Sequence, residues 1–366
     1  MRVHGTHWRS IFLADDGWSV AVIDQTRLPF AFEVVHLRTS GDAVRAIADM
    51  TVRGAPLIGV TAAYGVALAM REDPSDAGLA AAAAALLQAR PTAVNLRWAV
   101  ERVAATLRPL PLEGRCARAY AEAAAIAEQD VAACAAIGRH GAALIERLAD
   151  ARGGGPVRVL THCNAGWLAC VDWGTALAPV YAAHEAGIAV QVLVDETRPR
   201  SQGASLTAFE LASHGIPHRV IVDNAGGHLM QHGEVDLCLV GSDRTTRRGD
   251  VANKIGTYLK ALAARDNGVP FYAALPSSTI DWSLDDGVHG VPIEERDARE
   301  VTHVRGRGED GTLHDVEVVN PGSPVANPGF DVTPARLVTG IITERGIAPA
   351  TADGLLSLYP ERRAAG

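Results

Sequence analysis

Cys163 and Asp243 are the two residues of this chain best placed to do chemistry. Cys163 lies in THCNAG (residues 161–166), directly after the short apolar run VRVLT. A thiol between a buried strand and a helix start has a lowered pKa and reacts as thiolate; its commoner fate is that of a small buried hydrophobe. Asp243 follows LCLVGS (237–242). A carboxyl at the end of a buried strand loses water, which raises its pKa and suits it to acid–base work. A turn residue, or a salt bridge to Arg244, explains it equally well.

Two further positions suit an anion. Arg53-Gly54-Ala55-Pro56 precedes an apolar helical stretch, residues 57–70. Pro56 fits a first turn, Gly54 lets backbone approach a ligand closely, and free N–H groups beside an arginine suit a phosphate. An ordinary helix start with a solvated arginine fits the same residues. Asp250-Val-Ala-Asn253-Lys254 is read as opening another helix. Lysine in a first turn opposes the helix dipole unless an anion is near; a solvated lysine is the alternative. Two familiar motifs fail or are missing. GRGEDG (306–311) matches a dinucleotide fingerprint but is followed by TLHDVEVV, which alternates as a strand where a helix is required. There is no GxxxxGK[ST] loop and no HExxH.

The elements that must position these residues change character along the chain. Residues 18–24 and 30–37 read as short strands, and from residue 42 to 148 the pattern is mostly helical. DARGGGP (150–156) then breaks it, the best linker in the chain. Beyond it, short apolar runs at 157–161, 189–194, 219–222, 235–240 and 270–275 alternate with helical stretches at 167–185, 205–213 and 250–265. Such alternation means βαβ units and a parallel sheet. The expected fold is α/β. A small mixed domain of short antiparallel strands and helices spans residues 1–150, and a Rossmann-like parallel-sheet domain spans 151–366. Ligands of such sheets bind outside the carboxyl ends of the strands. Those ends read His162-Cys163-Asn164, Asp195-Glu196-Thr197-Arg198, Asp223-Asn224 and Gly241-Ser242-Asp243-Arg244.

Composition narrows the function classes. The net charge of −8, from 34 Lys+Arg against 42 Asp+Glu, disfavours a general nucleic-acid binder. Five cysteines without a CxxC pair point to a reducing compartment, with neither a zinc site nor a disulfide framework. A polar N-terminus and the lack of a long apolar run predict a cytoplasmic protein with no membrane span.

Taken together, the loops closely resemble those of the 5-methylthioribose-1-phosphate isomerases of methionine salvage. The match covers nearly the whole chain. It includes IDQTRLP (23–29), MTVRGAPLIGVTAAYG (50–65), ARPTAVNLRWA (89–99), THCNAG (161–166), DETRPRSQGASLTAFEL (195–211), GSDR (241–244), GDVANKIGTY (249–258), VPIEERDAREV (291–301) and NPGFDVTPARLVTGIITERG (327–346). The resemblance implies Cys163 and Asp243 as the catalytic pair. It makes Arg53, Gly54, Ala55, Arg90, Gln202, Asn253 and Lys254 substrate contacts, and it implies a homodimer with no metal or organic cofactor. The implied reaction takes an aldose 1-phosphate to a ketose 1-phosphate. Arg53, Arg90 and Lys254 are then expected to meet around one anion. Trp167 stands where many members carry a small residue, and it is expected to border the pocket and shape it for the sugar's 5-substituent. Two rival functions share the resemblance: isomerisation of 5-deoxyribose 1-phosphate or ribose 1,5-bisphosphate, and a non-catalytic role like that of the regulatory subunits of a translation-initiation exchange factor. Retention of Cys163, Asp243 and both arginine loops argues against the latter.

Overall fold

A computed structural model describes residues 1–90 and 94–365; residues 91–93 of the ARPTAVNLRWA motif and Gly366 lie outside it. The chain opens with a three-stranded antiparallel sheet, Ile11–Leu13, Val20–Ile23 and Val34–Leu37. Five helices follow: α1 (Ser40–Ala48), α2 (Ala55–Glu72), α3 (Asp76–Ala89), α4 (Val94–Leu107) and α5 (Leu112–Arg152). Thr39 and Asp42 close a capping box at the start of α1. Helix α2 is buried from Ala55 to Met70, because it is apolar all round and packs among the other four.

Helix α5 is the spine of the molecule. At about 1.5 Å per residue its 41 residues run about 60 Å. Ala119, Ala123 and Ile126 join the helical core with Val60 and Leu68, whereas Ile137, Leu144 and Ile145 join the core of the large sheet. Gly153 ends it in the left-handed conformation.

The large sheet has seven strands in the order Gly346–Ala348, Gly340–Thr343, Phe271–Ala274, Leu237–Val240, Val157–Thr161, Val190–Asp195, His218–Ile221. All neighbours are parallel except the first pair. Side chains alternate between its faces. Val159, Val192, Val194, Leu237 and Leu239 enter one core, and Leu160, Leu193, Cys238 and Val240 the other. Both faces are covered, so the strands read as unbroken apolar runs. A smaller four-stranded sheet, Ile280–Asp281, Arg244–Thr246, Val251–Lys254 and Phe330–Thr333, lies alongside.

Two expected helices are corrected. The stretch 167–185 holds only a 3₁₀ turn, Trp167–Ala169, and a helix α6, Ala178–Glu185. Between them Trp173 and Gly174 have positive φ, and a Cβ on Gly174 would meet the Gly166 backbone at 2.2 Å. Residues 251–254 form a strand, and the helix begins only at Thr257, after Gly256 at φ 102°. That strand pairs on one side with Arg244–Thr246 and on the other with Phe330–Thr333, a partner about 80 residues away that local pattern does not reveal. Lys254 therefore does not stand in a first helical turn, and the dipole reasoning for it falls. No helix among the described residues is long and apolar enough to cross a membrane.

Candidate active site

Cys163 follows the Val157–Thr161 strand and Asp243 follows Leu237–Val240. These strands are neighbours, paired through Val159–Leu237 and Leu160–Cys238. They also mark where the strand order reverses, because from Val157–Thr161 the chain next builds outward through Val190–Asp195 and then returns to Leu237–Val240 on the other side. A doubly wound sheet has its ligand crevice at such a switch point.

Cys163 is held by its backbone. At φ 67° it occupies a conformation that costs a non-glycine residue energy, so its surroundings must enforce it. Its N–H donates to Thr197 Oγ1 at 2.8 Å, and its carbonyl accepts from Thr207 Oγ1 at 2.8 Å. Next to it, His162 sets Nδ1 2.8 Å from Asp195 Oδ2 and Nε2 2.8 Å from the Ile255 carbonyl. One imidazole thus ties the cysteine loop to the turn after Lys254. On the other side, Asn164 Nδ2 donates to Glu210 Oε1 at 2.9 Å. Glu210 also accepts from the N–H groups of Trp167 and Leu168 and from Tyr181 Oη. Burial pushes the Glu210 carboxyl up, while these donors pull it down.

Asp243 faces a cavity of about 30 Å³ that it shares with Ala55, Ile58, Arg90 and Phe330. The residue is partly exposed, but its carboxyl sits deep enough that desolvation pushes its pKa up; Lys254, Arg90 and Arg53 oppose this. Lys254 is buried, its Nζ donating to the Gly329 carbonyl at 2.8 Å and standing 4.5 Å from the centre of the Phe330 ring. Desolvation lowers its pKa, whereas Cys163 and Asp243 raise it. Burial likewise lowers that of Arg90, with Glu294 and Asp243 opposing. The structure therefore brings Arg53, Arg90, Lys254, Asp243 and Cys163 within electrostatic reach of one another. Asn253 precedes Lys254 on the same strand, its Nδ2 donating to Thr257 Oγ1 at 3.0 Å.

Arg53 joins this cluster to a second, larger cavity of about 370 Å³, lined by Gln202, Gln25, Leu28, Met50 and Leu206 among others. Its guanidinium donates to the Asn164 side chain and to the Asn164 carbonyl. Gly54 is the N-cap of α2 and offers no side-chain cap to its first N–H groups. The close approach at Gly54 is made by protein: a Cβ there would meet Ala169 at 2.5 Å. Glycine is required so that α2 can abut the turn after the cysteine loop.

Trp167 does not border either cavity. It is wholly buried in the core with Leu168, Val180 and Tyr181. The cause is that Glu210 fixes the backbone of its 3₁₀ turn, which aims the ring inward. Motif reading also left His162 and Glu210 without roles. An acid within the apolar AFEL stretch is the one visible signal for Glu210. Among the described residues two groups approach metal-ligand spacing, His162–Asp195–Asp223 and Asp130–Cys134–Cys170, each with ligand atoms within 4.8 Å. In the first, the Lys260 ammonium already stands 3.2 Å from Asp195 Oδ2.

Residues 51–350 match the model of the initiation factor 2 subunit family. A methylthioribose-1-phosphate isomerase from Methylobacterium nodulans is 69% identical over 365 residues, covering 100% of both chains. A crystal structure of 5-methylthioribose 1-phosphate isomerase from Pyrococcus horikoshii superposes with a TM-score of 0.81 at 37% identity, covering 99% of this chain and 100% of that one. A structure described as translation initiation factor eIF-2B, subunit delta, from A. fulgidus gives 0.78 at 38% identity, covering 97% and 100%.

Proposed function

Because this chain belongs to the initiation factor 2 subunit family, in the branch of the methylthioribose-1-phosphate isomerases, we propose that it converts 5-methylthioribose 1-phosphate to 5-methylthioribulose 1-phosphate. The observation that carries the proposal is the cluster of Asp243, Cys163, Lys254, Arg90 and Arg53 at the sheet's switch point. A phosphate suits the arginines, the lysine and the N-terminus of α2, which has no side-chain cap. Asp243, whose pKa burial raises, donates its proton to the ring oxygen as the C1–O bond breaks. One hydrogen then moves from C2 to C1 and the C2 hydroxyl loses its proton, so C2 is oxidised to the ketone and C1 is reduced, with no external oxidant. Cys163 serves as the base for that transfer, or stabilises the charge that forms beside it. The apolar wall of Leu28, Met50 and Leu206 suits the methylthio tail. The proposal includes a homodimer in the cytoplasm, the compartment suggested by five cysteines without a CxxC pair.

The likeness to an initiation-factor subunit favours one rival, a binding protein without activity. A single assay separates the two. Purified protein is given methylthioribose 1-phosphate, 5-deoxyribose 1-phosphate and ribose 1,5-bisphosphate, and kcat/KM is compared. The highest value is expected for the methylthio sugar. Turnover of none of the three would leave the binding role as the better account.

A further inference from the structure

The larger cavity holds a pair of buried amide oxygens that have no donor. Gln25 follows the Val20–Ile23 strand and is 5% exposed. Its backbone N–H donates to the Thr51 carbonyl at 3.0 Å, and its Nε2 donates to the Leu168 carbonyl at 2.6 Å. The second bond settles the orientation of the amide, since turning it over would set two oxygens against each other. Oε1 is left buried, with no hydrogen-bond partner among the described residues. Gln202, 4% exposed, has an Oε1 in the same condition. Both residues line the cavity to which Arg53 also belongs.

A buried acceptor without a donor is destabilising and calls for an explanation. Two of them on one cavity wall, with the amide of Gln25 locked in place, point to a ligand that brings O–H or N–H groups. We propose that Gln25 is a further substrate-binding residue, its side-chain oxygen accepting the hydrogen of the sugar's 3-hydroxyl. This rests on the proposed reaction. The 5-methylthioribose ring carries free hydroxyls at C2 and C3, and C2 becomes the ketone. The 3-hydroxyl is the one that stays unchanged, so a fixed acceptor can hold it throughout turnover. Arg53 lines this cavity and also acts on the Asp243 carboxyl, and the proposed ligand reaches from one to the other past it.

The test compares wild type and Gln25→Met on methylthioribose 1-phosphate and on its 3-deoxy analogue. The variant keeps side-chain length and loses the acceptor. On the parent sugar its kcat/KM is expected to fall about 10- to 100-fold. On the 3-deoxy sugar it stays within about threefold of wild type, because the contact is already missing. An equal fall on both sugars overturns the proposal. If the variant does not fold, having left the Leu168 carbonyl without its donor, the wild type decides alone: equal kcat/KM on the two sugars overturns it. If the wild type turns over neither sugar, the proposed reaction fails, and melting shifts decide on Gln25. A larger shift with ribose 1-phosphate than with 3-deoxyribose 1-phosphate, in wild type but not in Gln25→Met, supports the contact; equal shifts overturn it.

Discussion

Asp130→Asn should make this protein more stable at neutral pH and leave it nearly unchanged at acid pH. Asp130 lies on α5 at the join between its two cores. Its Oδ2 accepts from the Val171 N–H at 2.8 Å, and its Oδ1 is 3.9 Å from Cys134 Sγ. Burial pushes its pKa from 3.8 up to about 7, and the Val171 and Cys134 bonds only partly oppose this. The folded state therefore keeps a proton that the unfolded chain releases near pH 4. A raised carboxyl pKa gives stability that is fully present below the unfolded value and is lost as pH rises through the folded one. A shift of about 3 units is worth about 4 kcal/mol in all, of which about 2.5 kcal/mol is lost between pH 5 and pH 8. Asparagine is neutral throughout and can still accept from Val171, so the variant escapes that loss. For a chain of 366 residues the gain corresponds to about 3 °C in melting temperature at pH 8 relative to pH 5. The assay is thermal melting of wild type and variant from pH 4 to pH 8. Other buried carboxyls such as Glu210 and Asp331 titrate in both proteins and cancel in the difference. Parallel curves would show that Asp130 is charged in the fold and that burial does not govern it.

Three further outcomes are expected. Asp243→Asn and Cys163→Ser should each lower kcat by about 10² or more with KM little changed, and near-normal kcat in either removes that residue's role. Wild-type turnover in deuterated water then reports the route, because deuterium at C1 of the product marks proton transfer through a base, whereas none fits hydride transfer or a shielded base. Lys254→Met removes the largest influence holding the Asp243 pKa down. Since the acid acts protonated, the alkaline limb of its kcat profile should move to higher pH; an unmoved limb means that Asp243 is not the acid. Trp167→Ala should cost about 3–5 kcal/mol of stability, read by denaturant unfolding, with the preference among 5-substituents unchanged. A changed preference at full stability would return Trp167 to the pocket.

The class of the fold is written in the chain. The runs that became Val157–Thr161, Val190–Asp195 and Leu237–Val240 are apolar throughout because both faces of their sheet are covered, and this is visible without coordinates. The loops that resemble an isomerase family were legible for the same reason: each is a contiguous string. Other features depend on partners remote in sequence. Residues 251–254 became a strand because Phe330–Thr333 lies along their edge, and this pairing overrode a pattern that reads locally as a helix start. Trp167 went into the core because Glu210, 43 residues later, fixes the turn that carries it. The charges of Arg53, Arg90, Lys254 and Asp243 act on one another only because the sheet order turns back between two adjacent strands. Gln25 stands in a motif that was read as a string, but its locked amide and unpaired oxygen exist only where Leu168 meets it. Periodicity records which face of an element is buried; it carries no record of which distant element does the burying.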